Sequence, residues 1–123
     1  MLKAYDITTK QEIAACDLGG QPDSTASAKD GSFLAVAIEN ERDEDAGDGR
    51  VGQLPAGYLM LVDIKDGAPD CAAMTKVEMT GLAEISPEDP EPEFVAINSL
   101  GEIAVTLQEN NHIALVDLNS GKV

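Results

Sequence analysis

Apolar runs of strand length recur along the chain, each closed by glycine, proline or acidic residues. Phe33-Leu-Ala-Val-Ala-Ile38, Tyr58-Leu-Met-Leu-Val and Ile103-Ala-Val-Thr-Leu107 are almost wholly apolar, as expected of strands covered on both faces. Glycine and proline punctuate every stretch, and no i, i+3, i+4 apolar face is sustained, so helices are not expected. The pattern predicts an all-β protein.

The runs also repeat. Tyr58-Leu-Met-Leu-Val-Asp63-Ile-Lys-Asp-Gly67 returns as His112-Ile-Ala-Leu-Val-Asp117-Leu-Asn-Ser-Gly121, and a weaker copy is Leu2-Lys-Ala-Tyr-Asp6. Asp6, Asp63 and Asp117 lie 57 and 54 residues apart, a period that in β-rich chains points to propeller blades. A second repeated pair precedes them: Gln21-Pro22-Asp23 and Glu91-Pro92-Glu93, each leading through a Gly turn into an apolar run.

Each repeat therefore reads as a four-stranded antiparallel meander, A to D outward from a central axis. Strands A are placed at 24–28 and 94–97, B at 34–38 and 103–107, C at 59–64 and 113–118, and D near 11–16 and 74–79. Residues 1–20 then hold strands C and D of a first blade, 21–82 a second blade with a B–C insertion at 39–57, and 83–123 strands A to C of a third. The fold class expected is an incomplete β-propeller of about two blades plus flanking strands. Closed propellers use four to eight blades, so the remaining blades of a longer parent chain are the expected partners.

Gly67 and Gly121 suit the C–D turn, and Gly31 and Gly101 the A–B turn. The repeated aspartates are expected to accept local backbone hydrogen bonds at strand ends.

The chain carries 23 acidic and eight basic residues, a formal charge of −15. Such a field repels phosphate backbones and anionic lipid, so neither nucleic acid nor an anionic membrane is an expected partner. No apolar run approaches the roughly 20 residues of a spanning helix, and no secretory h-region follows Met1. Cys16 and Cys71 are the only cysteines. Each follows the Asp strand of its own repeat, which places them on outer strands of neighbouring blades, too far apart to bridge; two separate thiols are expected.

Candidate chemistry gathers in the loops. The B–C connection is a tight turn at Gln108-Glu-Asn110-Asn111-His112, but in the second blade it swells into an acidic insertion. In a meander the B–C and D–A connections leave on one face, which brings the insertion together with residues 84–93 and with Gln21-Pro22-Asp23. Clustered carboxylates suit Ca²⁺, with its six to eight oxygen ligands. Glu39, Glu41, Asp43, Asp45, Asp48 and Glu93 are the candidate metal ligands, with Asn40 and Asn110 as lesser ones; the alternative is a solvated acidic loop. The spacing is not that of an EF-hand, because Gly47 and Leu54 stand where ligands belong. His112 is the single His, read as a turn or strand-edge residue. Zinc, nucleotide and organic cofactors are not indicated.

The strings Glu39-Asn-Glu41-Arg-Asp-Glu-Asp, Gln53-Leu-Pro-Ala-Gly57, Asp89-Pro-Glu-Pro-Glu93 and Thr106-Leu-Gln-Glu-Asn-Asn-His-Ile113 resemble bacterial secreted β-propellers: phytase-like proteins with esterase-like activity, and related choice-of-anchor and quinoprotein-like propellers. The resemblance implies an extracellular or periplasmic parent. For propeller phytases it also implies Ca²⁺-assisted hydrolysis of phosphomonoesters or other small ester substrates. The chain departs from that pattern in lacking a Lys or Arg cluster to hold a polyphosphate. The rival expectation is a non-catalytic propeller presenting its loops to a protein or a cell-surface polymer.

Overall fold

The structure, a computed structural model, describes residues 1–40, 43, 45–47, 51–118 and 123. Among these there are nine strands and no helix: β1 (Leu2–Tyr5), β2 (Glu12–Cys16), β3 (Gln21–Ser27), β4 (Phe33–Glu39), β5 (Tyr58–Lys65), β6 (Ala68–Glu78), β7 (Pro92–Ile97), β8 (Glu102–Leu107) and β9 (His112–Asp117). They form three antiparallel sheets in the orders β1-β2, β3-β4-β5-β6 and β7-β8-β9. The middle sheet is the meander of one propeller-like blade.

Period-two alternation explains how the middle sheet is covered on both sides. Across β4 and β5, Leu34 pairs with Val62, Val36 with Met60 and Ile38 with Tyr58. Their side chains turn toward the first sheet, where Leu2, Cys16 and Leu18 meet them. The alternate positions, Ala35, Leu59 and Leu61, turn toward the third sheet and pack on Val95, Ile103, Val105, Leu107, Ala114 and Val116. Val36, Ile38, Leu59 and Val62 are fully buried. At the A–B and C–D turns, Gly31 (φ 73°) and the pair Asp66 (52°) and Gly67 (80°) hold positive φ angles, the conformation that tight β-turns demand.

Cys16 and Cys71 are disulfide-bonded, with Cα atoms 5.0 Å apart, which corrects the expectation of two separate thiols. The cysteines do stand on outer strands of neighbouring sheets, but the sheets stack so that β2 lies against β6. A register jump completes the approach: Val62 pairs with Met74 and Ile64 with Pro69, so residues 70–73 leave the ladder as a bulge. Bulges re-aim side chains, and this one frees Cys71 to reach out of its sheet. In the chain-entropy account a link across 55 residues stabilises the fold by about 4 kcal/mol.

Candidate functional site

Three loop segments meet around a buried knot: the insertion after β4, the connection between β6 and β7, and the β8–β9 turn. The connection contains Pro87 and Pro90 and leads into Pro92 at the start of β7; none of the three has a backbone N–H to offer, so side chains supply its ties. Asn110, 2% exposed, donates from Nδ2 to the carbonyls of Ile85 (3.0 Å), Ser86 (3.2 Å) and Asp89 (2.9 Å). Its Oδ1 accepts the Glu91 N–H at 2.8 Å.

The knot continues into the insertion. Asp89 is fully buried, and its Oδ2 accepts the Gln53 N–H at 2.6 Å. The Gln53 side chain then pairs with the Asp43 backbone in both directions, Nε2 donating to its carbonyl (3.0 Å) and Oε1 accepting its N–H (3.2 Å). Asn40 Nδ2 donates to the Gln53 carbonyl at 3.2 Å. Two backbone bonds close the assembly, Gly57 N–H to Pro90 O and Gln108 N–H to Glu91 O, both 3.1 Å. Gly57 sits so close that an added Cβ would lie 2.5 Å from both Pro90 O and Pro92 Cδ.

These contacts redistribute the candidate ligands. Asn110 is committed to the knot, its amide consumed by backbone groups. Asp43 Oδ1 accepts the Asp45 N–H at 3.0 Å, a local turn that holds the exposed tip of the insertion. Glu41 and Asp48 lie outside the described residues. Glu39 and Glu93 do come together, in a group completed by Asp23 and Glu109: burial pushes the Glu93 carboxyl above its usual range, helped by the charges of Asp23 and Glu39, a hydrogen bond to Asp23 and the charge of Glu109. Gln21 Nε2 donates to Glu39 Oε1 at 3.1 Å. Among the described residues no three His, Cys, Asp or Glu side chains converge as a metal-holding set.

Other expectations fall differently. Asp6 caps the turn after β1, its Oδ1 accepting from Thr8 N–H (2.9 Å) and Thr9 N–H (2.6 Å), and those bonds to Thr9 hold its carboxyl below the usual range. Asn111 takes the left-handed conformation, φ 50°, which asparagine tolerates in a tight turn. His112 is half-buried and pairs with Leu107 at the start of β9. The roles of Asp89 and Gln53 escaped the sequence reading; a carboxylate set between prolines was the one signal of them.

The family model of the choice-of-anchor I domain matches residues 1–123. The chain belongs to the choice-of-anchor I domain family. No curated protein and no solved structure matches it. The choice-of-anchor part of the sequence resemblance is thereby established, whereas the family description names neither a phytase nor an esterase. Within this choice-of-anchor I chain, the knot gives the loop face a fixed shape and the carboxylates give it a negative one.

Proposed function

We propose that the chain is a non-catalytic propeller scaffold of a secreted or cell-surface protein, whose knotted loop face is a docking platform. One observation carries the reading: the Asn110 amide, the Gln53 side chain and Oδ2 of Asp89 hydrogen-bond to the loops' own backbone. Such side chains hold a shape instead of awaiting a substrate, and a preorganised loop face binds without the entropy of ordering. The choice-of-anchor membership and the disulfide, a bond that persists in oxidising compartments, both support a location outside the cytoplasm. In this reading residues 1–20, 21–82 and 83–123 are parts of successive blades, and further blades of a parent chain cover the outer sheets.

The test is paired. The parent protein, with and without Ca²⁺, is offered a panel of phosphomonoesters and carboxylic esters, and its binding to isolated cell envelopes is measured in parallel. The scaffold reading predicts envelope binding that weakens in Asn110→Ala and no hydrolysis above the uncatalysed rate. Hydrolysis abolished by Glu39→Gln or Glu93→Gln would replace it with a metal-assisted hydrolase.

A second reading, a Ca²⁺ ion held by Glu39 and Glu93 with carboxylates of the insertion, is favoured by the crowding of Asp23, Glu39 and Glu109 around Glu93. A cation relieves like-charge repulsion of this kind. It predicts a Ca²⁺-dependent rise in Tm that Glu93→Gln removes; a flat titration ends it.

A further inference from the structure

The first sheet pairs β1 with β2. Its hold on the rest of the molecule is one face: Leu2, Cys16 and Leu18 against Val36, Ile38, Tyr58, Met60 and Val62, with the Tyr58 hydroxyl donating to Leu18 O at 2.6 Å. Besides the main chain, which runs from β2 into β3 through residues 17–20, the covalent tie across that boundary is Cys16–Cys71. The two sulfurs are not equivalent. Cys16 is fully buried in the β2 face, whereas Cys71 is partly exposed on the bulge of β6, where no strand pairs with it.

We propose that this bond is a redox clasp entered from the Cys71 side, and that opening it lets the β1–β2 sheet lift off the middle sheet and uncover Val36, Ile38, Met60 and Val62. A thiolate of a small thiol or a dithiol oxidoreductase attacks Cys71 Sγ. A new S–S bond forms between reductant and Cys71 while the Cys71–Cys16 bond breaks, and its electron pair leaves on Cys16 Sγ, which takes a proton from water. A second thiol of the reductant then displaces Cys71, leaving two protein thiols and one oxidised reductant. The first sheet, no longer clasped, is held by its apolar face, the Tyr58–Leu18 hydrogen bond and the main chain at residues 17–20.

The clasp is independent of what the loop face binds, and it is tested on the full chain in two ways. Hydrogen exchange is followed by mass spectrometry before and after dithiothreitol, and in the Cys16→Ser/Cys71→Ser double variant. Exchange of the β1 and β2 amides should accelerate by roughly tenfold or more in the reduced protein and in the double variant, with β7–β9 unchanged. Unaltered protection of β1 and β2 overturns the proposal, and so does acceleration spread equally over all three sheets. Brief exposure to glutathione, quenched with acid, should leave the mixed disulfide on Cys71; glutathione found on Cys16 overturns the assigned direction of attack.

Discussion

Asn110 spends its whole amide on the backbone of the β6–β7 connection, with three bonds given and one received. Removing it strands buried carbonyls and the Glu91 N–H, and each such group costs about 1–3 kcal/mol. Asn110→Ala should therefore destabilise the protein by about 2–4 kcal/mol in urea unfolding; a change within the noise would mean that water replaces the side chain freely. Glu93 behaves in the opposite sense. Its folded pKa is raised, so its favourable contribution is complete below the unfolded value and is lost as pH rises through the folded one. Glu93→Gln should raise Tm at neutral pH, with the gain shrinking to nothing at pH values below about 4.5. A gain that persists in acid would point to packing instead of charge. Neither role was legible in the sequence: an Asn beside a turn and a Glu after a proline read as ligands, because burial and the direction of an amide depend on three loops meeting.

Elements were read far more easily. The apolar runs named the β4, β5 and β8 strands because both faces of each needed covering, so neither periodicity nor composition pointed elsewhere, and the repeat of the β5 segment named β9. The Asp repeat fixed their order. The exception was β6, expected as a short strand near 74–79 and observed as Ala68–Glu78. The bulge at residues 70–73 interrupts the pairing that a pattern can follow, and it also carried the disulfide out of view. Gly57 belongs at this scale too, since it governs how the end of the insertion enters β5. With Pro90 O, Pro92 Cδ and Ile38 O all within 2.7 Å of an added Cβ, the backbone itself must shift to admit a methyl group. Gly57→Ala should cost about 2 kcal/mol or more, read as a drop in Tm, whereas Gly67→Ala, with nothing within 4 Å of its Cβ, should show only the milder strain of a positive φ.

Over the whole molecule, the sheets stack by repeating one contact. Leu59 and Leu61 of the middle sheet are covered by the third sheet, and the repeat places Ile113 and Leu115 at the equivalent positions of the third. There they are 62% and 67% exposed, beside an exposed Phe94. An apolar sheet face of this kind associates in water, so the isolated chain should self-associate, and Ile113→Lys with Leu115→Lys should reduce its light scattering; unchanged scattering would exclude that face as the cause. The opposite end is mixed, the exposed Lys3–Glu12 pair at 2.9 Å sharing the first sheet with exposed Tyr5 and Ile13. Between the two ends, the loop face is the feature on which the functional reading rests, and its preorganisation is directly measurable. Residue-resolved hydrogen exchange of the unliganded protein should find the amides of Gln53, Gly57, Glu91 and Gln108 protected to the same order as the central strand amides of β4 and β5. Exchange of those four at the rate of open loops would contradict a platform built before its partner arrives.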